Sequence, residues 1–126
     1  MSTITIDDKK YEIDKMSDEE VALKIQNDKI HILIDMQGHS AKNRLPIFFH
    51  KAAPIQISWL GQGTSGIPEI DYFISSQILN PQSDDKFYSE KVIRLPKISQ
   101  ALSIPNYNLQ PSDLPAKKNK FITFGC

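Results

Sequence analysis

Apolar and polar positions along this chain fall into blocks, and each block predicts an element. Thr3 to Ile6 alternates threonine with isoleucine, and Tyr11 to Ile13 stands ready to pair with it across Asp7-Asp8-Lys9, which predicts a short hairpin. Ser17-Asp18-Glu19-Glu20 spells a capping box, with Ser17 accepting from the Glu20 amide and Glu20 reaching back. The helix that follows puts Val21 and Ile25 on one face and is expected to end near Asn27-Asp28. Ile30 to Met36 is the most apolar segment; its β-branched residues and scarcity of polar alternates predict a central strand covered on both faces. Gln37-Gly38-His39-Ser40 is the turn at its C-terminal end.

Asn43 to Ala53 carries Leu45, Phe48, Phe49 and Ala52 and predicts a second helix. Its start is expected at Arg44 or Leu45, because Pro46 is tolerated only in a first turn. Pro54 ends it, and Ile55 to Leu60 is the next strand. That run breaks into Gly61, Gly63 and Gly66 and recovers as Ile70 to Ile74. A strand that ends in a glycine-rich turn lets backbone amides approach a ligand closely. Strand, turn, helix, strand, turn, strand is the βαβ signature of an α/β domain, with ligand-binding turns at the strand C-termini. His39 and Gly61 fall at equivalent ends of neighbouring strands and are expected to face one crevice.

From Gln77 onward the pattern changes. Asn80 to Asp85 is a polar loop, and Tyr88 to Leu95 predicts a short strand ending at Pro96. Ser99 to Lys120 holds Pro105, Pro111 and Pro115 with little periodicity, which is linker composition. Phe121 to Phe124 then reads as the start of a buried strand, just before Gly125-Cys126. A linker leading into one strand predicts a truncated protein. There is no internal repeat.

Composition narrows the class further. At 126 residues the chain has the length of one modest domain, and 40% hydrophobic with 24% charged residues is ordinary globular usage. Lys plus Arg equals Asp plus Glu at 15 each, so no net field draws nucleic acid or acidic lipid. Lys117, Lys118 and Lys120 cluster only within the linker. Cys126 is the single cysteine, which excludes an internal disulfide and a cysteine-based metal site within the chain. No apolar run approaches the roughly 18 residues of a membrane span, and the first residues lack the apolar core of a signal peptide. The expected location is the cytoplasm.

Gly61-Gln62-Gly63-Thr64-Ser65-Gly66 formally matches the dinucleotide pattern Gly-x-Gly-x-x-Gly, with Asp84 and Asp85 about 20 residues on. That mechanism needs a helix to open in the loop, whereas Ile67 to Ile74 reads as another strand. Ile67-Pro68 also replaces the Lys and Ser/Thr of a phosphate-binding P-loop. Of the three histidines, His31 reads as a core residue inside its strand and His50 as a surface residue of the second helix. His39, after Gly38 at a strand end, is the functional candidate against a turn-stabilising alternative. No histidine pair has the spacing of a helical zinc site, so no metal is expected. Arg44 near a helix N-terminus wants a carboxylate or phosphate partner, with Asp35 or Asp71 among the structural alternatives. No Ser-His-Asp order and no nucleophile elbow can be justified.

The literal residues carry more. His31-Ile32-Leu33-Ile34-Asp35, Gly38-His39-Ser40 with Asn43-Arg44-Leu45, Ala53-Pro54-Ile55-Gln56-Ile57-Ser58-Trp59-Leu60-Gly61, Gly63-Thr64-Ser65-Gly66 and Asp71-Tyr72 resemble the O-GlcNAc transferase/SPINDLY family. So do Tyr88-Ser89-Glu90-Lys91, Leu95-Pro96 and Ile122-Thr123-Phe124-Gly125. The resemblance runs in order from about Met16 to Cys126.

It implies a partial Rossmann-like domain of a glycosyltransferase B-type fold, ending in a linker and the first strand of the second domain. The implied boundaries are residues 1–15 as a segment of unknown role, 16–98 as the C-terminal part of the first catalytic domain, 99–120 as linker and 121–126 as the truncated second domain. The implied activity is inverting, metal-free transfer of a sugar to protein Ser or Thr, with a nucleotide sugar such as UDP-GlcNAc as substrate and no cofactor. A SPINDLY-like fucosyl donor is a variant of that reading, and a non-catalytic scaffold module derived from the domain is the alternative.

The resemblance places Leu60 and Gly61, with Gly63 and Thr64, beside the donor sugar, and His39 and Arg44 along the cleft. No catalytic residue is assigned, since the family's proposed catalytic histidine lies upstream of the matched region. The family turn reads Trp-Leu-Gly-Tyr-Pro-Gly-Thr; Gln62 stands for its Tyr-Pro pair, one residue shorter, and Ser40 stands where Thr is usual. That shortening creates the dinucleotide pattern by accident. Alone, the chain is expected to be inactive, because nucleotide sugar and acceptor would be held only with the remaining domains.

Overall fold

The computed structural model describes residues 3–6, 9–61, 63–97, 99–100, 103 and 113–124. An antiparallel hairpin of β1 (Thr3–Ile6) and β2 (Lys9–Glu12) opens the chain, with Ile6 opposite Lys9. The hairpin is the expected one with its second strand starting two residues earlier; the connecting Asp7-Asp8 lies outside the described residues. Helix α1 (Asp18–Asn27) follows. Its capping box is complete: the Glu20 amide donates to Ser17 Oγ at 3.1 Å and the Ser17 amide to Glu20 Oε2 at 2.7 Å.

Four parallel strands in sequential order form the main sheet: β3 (Ile32–Asp35), β4 (Ile55–Trp59), β5 (Tyr72–Ser76) and β6 (Lys91–Leu95). The register pairs Leu33 with Gln56, Asp35 with Ser58, Ser58 with Phe73 and Phe73 with Val92, so these side chains share one face. That face is covered. Ile13, Val21 and Ile25 meet Leu45, Ile47, Phe48, Ile67 and Ile70 in a single core cluster against which Leu33 packs.

The opposite face carries Ile32 beside Ile55, Ile34 beside Ile57, and Trp59 beside Ile74, with Ile93 next. Ile32 is 50% and Ile34 41% exposed. The expectation of a central strand covered on both faces is therefore corrected. Among the described residues β3 is an edge strand with one open side. The reason is directional: each connection from β3 to β6 steps the same way across the sheet, which puts every crossover on the same face. Near its end Trp59 is tied down, its indole N–H donating to the Ser99 carbonyl at 2.7 Å.

The second helix is shorter and tighter than expected. Leu45–His50 is a 3₁₀-helix with Pro46 near its start, stopped by Lys51 in the left-handed region at φ 45°. Proline supplies no amide donor there, and the segment is too short for α-helical bonds to propagate. The 80–85 loop likewise closes into a 3₁₀-helix, Gln82–Phe87, clamped by Arg94 on the Asn80 carbonyl at 2.7 Å. Helix α2 (Pro115–Asn119) lies within the expected linker, of which 104–112 is outside the described residues.

Phe121 to Phe124 is not a buried strand. It pairs with nothing among the described residues, and Phe124 is 91% exposed. A strand needs a neighbour for its backbone groups, and an isolated apolar tetrapeptide has none. Gly125 and Cys126 lie outside the described residues.

Candidate functional site

The site grows from the ends of β3 and β4. At the first, the Asp35 carboxylate folds the chain back on itself by accepting from the Gln37 amide at 3.1 Å and the Gly38 amide at 2.9 Å. Gly38 then sits at φ 55°, and a Cβ there would stand 3.3 Å from the Gly61 Cα. The two turns thus touch backbone to backbone, which only glycine permits in that conformation. Gly38→Ala is expected to destabilise the fold by about 1–2 kcal/mol and to push the turns apart. Thermal unfolding with chemical-shift changes at Gly61 would check this, and an unchanged Tm would refute it.

At the second end, Leu60 leaves β4 at φ 67°, an outlier conformation for a branched bulky residue. Such strain persists only where surrounding structure enforces it, and it gathers at functional turns. No helix follows; the crossover returns through Gly61, Gly63 and Gly66 to β5, so the dinucleotide mechanism lacks its helix. Gln62, the site of the shortened turn, lies outside the described residues.

His39 meets this crossover directly. Its Nε2 lies 3.1 Å from the Thr64 carbonyl oxygen. Part-way along, Thr64 and Ser65 are held by Glu90, the residue before β6. Thr64 Oγ1 donates to Glu90 Oε2 at 2.7 Å, the Ser65 amide donates to Oε1 at 2.7 Å, and the Ser65 hydroxyl closes on the same Oε1. Burial pushes the Glu90 carboxyl upward, but the hydrogen bonds from Ser65 and Thr64 outweigh it and hold it below its ordinary 4.5.

A second carboxylate braces the far end of the loop. Asp71 accepts from Lys51 Nζ at 2.7 Å and from the Gln56 amide at 2.7 Å. Desolvation raises its pKa, while the bonds from Lys51 and Gln56 bring the net value below 3.8. Both carboxyls titrate lower folded than unfolded. Their stabilisation is therefore fully present above their ordinary values of 4.5 and 3.8 and is lost as pH falls through the lower folded values. Stability measured by urea titration should begin to fall once pH drops below 4.5, and a flat profile down to strongly acid pH would contradict this.

Among the candidates from the sequence, the structure brings His39, Gly61 and Thr64 together and keeps Leu60 and Gly63 in the same turn. Arg44 goes elsewhere. Its Nε donates to Asp18 Oδ1 at 2.6 Å, Nη1 to the Ile13 carbonyl at 3.0 Å and Nη2 to the Met16 carbonyl at 2.9 Å. Its carboxylate partner is Asp18, so the structural alternative of an ion-paired Arg44 is the one the contacts show, with all three nitrogens bonded to residues 13–18. His31 is exposed rather than in the core, because it precedes β3 at the sheet's free edge, while His50 lies at the surface as expected.

A cavity of about 590 Å³ opens between the hairpin, α1 and β3, lined by Ile25, Leu33, Met36, Arg44, Ile47 and Phe48. Asp35 and Gln37 of the first turn also border it, whereas His39 and Gly61 do not. Among the described residues no group of three His, Cys, Asp or Glu side chains is arranged to hold a metal. No helix there is long and apolar enough to cross a membrane.

The family model of glycosyl transferase family 41 matches residues 8–101. The chain belongs to glycosyltransferase family 41. Relatives agree with that membership. A probable UDP-N-acetylglucosamine--peptide N-acetylglucosaminyltransferase SPINDLY from Eustoma exaltatum subsp. russellianum is 38% identical over 87% of this chain and 12% of its own length. A probable enzyme of the same description called SEC, from Arabidopsis thaliana, is 34% identical over 91% of this chain and 13% of its own. In structure, a mutant of the Thermobaculum terrenum O-GlcNAc transferase superposes with TM-score 0.69 at 31% identity, covering 79% of this chain and 18% of that one. This family-41 chain thus spans about an eighth of the length of those SPINDLY and SEC relatives.

Sequence reasoning missed Glu90 as the anchor of Thr64 and Ser65, and Asp71, Lys51 and Gln56 as the brace at the far end of the crossover. Glu90 was visible only as part of a family motif. Its partners stand 25 and 26 residues away, and no local spacing announces such a bond.

Proposed function

We propose that this chain is the acceptor-side part of the catalytic region of an inverting protein O-glycosyltransferase, one that moves GlcNAc from UDP-GlcNAc to protein Ser or Thr. The observation that carries the reading is the convergence of the two turns, Gly38 against Gly61 and His39 against Thr64, at the C-terminal ends of adjacent parallel strands. That is where α/β sheets bind ligands. The names of the family-41 relatives supply the donor and the peptide acceptor. In this reading Leu60, Gly61, Gly63 and Thr64 form the wall beside the donor sugar, and His39 stands at its edge. The nucleotide sugar enters as substrate without a further cofactor, and the setting is the cytoplasm.

Transfer needs more protein than this. Positioning and electrostatic stabilisation come from groups converging on the sugar from both sides of a cleft. The open apolar face of the sheet, with Ile32, Ile34 and Ile93 exposed, is what the interior of a larger domain presents when its other layer is elsewhere. Purified chain mixed with UDP-GlcNAc and an acceptor protein should give no turnover; transfer by the chain alone would refute the requirement for further domains. Exchanging residues 16–98 for the matching segment of the Thermobaculum terrenum enzyme should give a folded chimera that transfers GlcNAc. Replacing Leu60 or His39 in it should slow the reaction. A folded chimera with no transfer would overturn the function itself.

A further inference from the structure

Glu90 sits in a hydrogen-bond pattern that admits a carboxylate and not its isosteric amide. Thr64 Oγ1 accepts from the Gly66 amide and from the Ser89 amide, each at 3.2 Å. Both of its lone pairs are used; its proton goes to Glu90 Oε2 at 2.7 Å, the shorter of its two remaining contacts, the other being the Ser89 hydroxyl at 3.0 Å. Ser65 Oγ accepts from the Ile67 amide at 3.1 Å and spends its own proton on Glu90 Oε1, where the Ser65 amide also points. Every group facing Glu90 is thus a donor, and Glu90 itself is only 5% exposed. What these bonds fix is the peptide at Thr64 to Ser65, and hence the direction of the Thr64 carbonyl. That carbonyl can only accept, so the His39 nitrogen 3.1 Å from it carries the proton. In the neutral ring Nδ1 is then a bare acceptor. It has no hydrogen-bond partner among the described residues, and His39 is exposed at the mouth of the site.

We propose that Glu90 is a positioning residue: through Thr64 it holds His39 as the Nε2–H tautomer and presents Nδ1 as the hydrogen-bond acceptor for a hydroxyl group of the ligand. The hydroxyl-bearing ligand rests on the glycosyltransferase reading; the positioning does not. Glu90 touches no ligand atom. It acts through one carbonyl and one imidazole.

The test is nuclear magnetic resonance on the isotopically labelled 126-residue chain at mildly alkaline pH. The wild type should show a pyridine-type nitrogen at His39 Nδ1 and a pyrrole-type nitrogen at Nε2, with an Nε2 proton protected from exchange. Glu90→Gln turns its amide group toward either the Thr64 hydroxyl, whose lone pairs are taken by the Gly66 and Ser89 amides, or the Ser65 amide, which is itself a donor. That mismatch should speed exchange of the His39 proton about tenfold, the equivalent of one hydrogen bond, while core amide signals of Val21, Ile25 and Ile70 stay in place. Glu90→Ala should abolish the protected proton altogether.

A wild-type His39 protonated at Nδ1 would overturn the proposal. So would a Glu90→Gln chain with an unchanged exchange rate, or one so unfolded that the core signals vanish, since Glu90 would then be a general structural residue. Failure of the chain or its chimera to handle UDP-GlcNAc would leave these signals untouched, so the two readings fail separately.

Discussion

Replacing Gln56 with alanine is expected to destabilise the domain by about 3 kcal/mol, from lost hydrogen bonds and a residual cavity. Gln56 is fully buried, on the covered face of β4. Its Nε2 donates to the Phe48 carbonyl and the Glu69 carbonyl, both at 2.9 Å, and its Oε1 accepts from the Ala52 amide at 3.0 Å. One side chain therefore satisfies the exit of the 3₁₀-helix and the end of the glycine-rich crossover at once. Truncation strands two carbonyls and an amide in the core, and a buried orphan costs far more than a surface bond contributes. Since domains of this size are stable by only about 5–15 kcal/mol, the loss is a large fraction of the whole. Urea unfolding would measure it, and a cost under about 1 kcal/mol would refute the argument. Gln56→Glu should be worse at neutral pH, because a carboxylate would face two carbonyl oxygens. Gln56→Leu keeps the volume but leaves the same orphans, so it should recover little.

Arg44→Ala carries the second large effect, a loss of about 2–3 kcal/mol for a partly buried charged group with three partners. The Ile13 and Met16 carbonyls that Arg44 ties down belong to the link between the hairpin and α1, and Asp18 is the first residue of that helix. The planar guanidinium reaches all three at once. A lysine ammonium has one nitrogen, so Arg44→Lys should restore little of the stability. Hydrogen exchange should show the damage in residues 13–25 before it reaches β5 and β6. A ligand-contacting Arg44 would predict the reverse, a chain of unchanged stability with altered sugar handling. Equal stability of wild type and Arg44→Ala would refute the structural role and favour the cleft position that the resemblance implies.

These two residues also show what can be read from a linear sequence. The capping box of α1 was legible because both of its bonds span three residues, and helix periodicity located Val21 and Ile25 in the core. The six strands that form were legible from their apolar, β-branched runs, with ends displaced by at most three residues, whereas Phe121 to Phe124 forms none. The turns at Gly38 and Gly61 were legible as places of close backbone approach, because glycine marks a backbone need that no other residue meets. Arg44 was read as wanting a carboxylate, which was right in kind. Its partner, 26 positions earlier, could not be chosen over Asp35 or Asp71, since every acid in the chain is chemically equivalent until the fold places one within reach.

The order of elements, the parallel α/β class and the family were therefore set by local patterns and literal motifs. Tertiary structure alone decided which face of the sheet is covered, because that depends on the direction in which successive crossovers step. It alone decided that Glu90, and not Asp84 or Asp85, governs the glycine-rich turn. It also decided that His39 spends one nitrogen on the Thr64 carbonyl while its ring stays exposed. The last two outcomes rest on contacts between residues about 25 apart, where the free energy of a hydrogen bond depends on geometry that no spacing along the chain encodes.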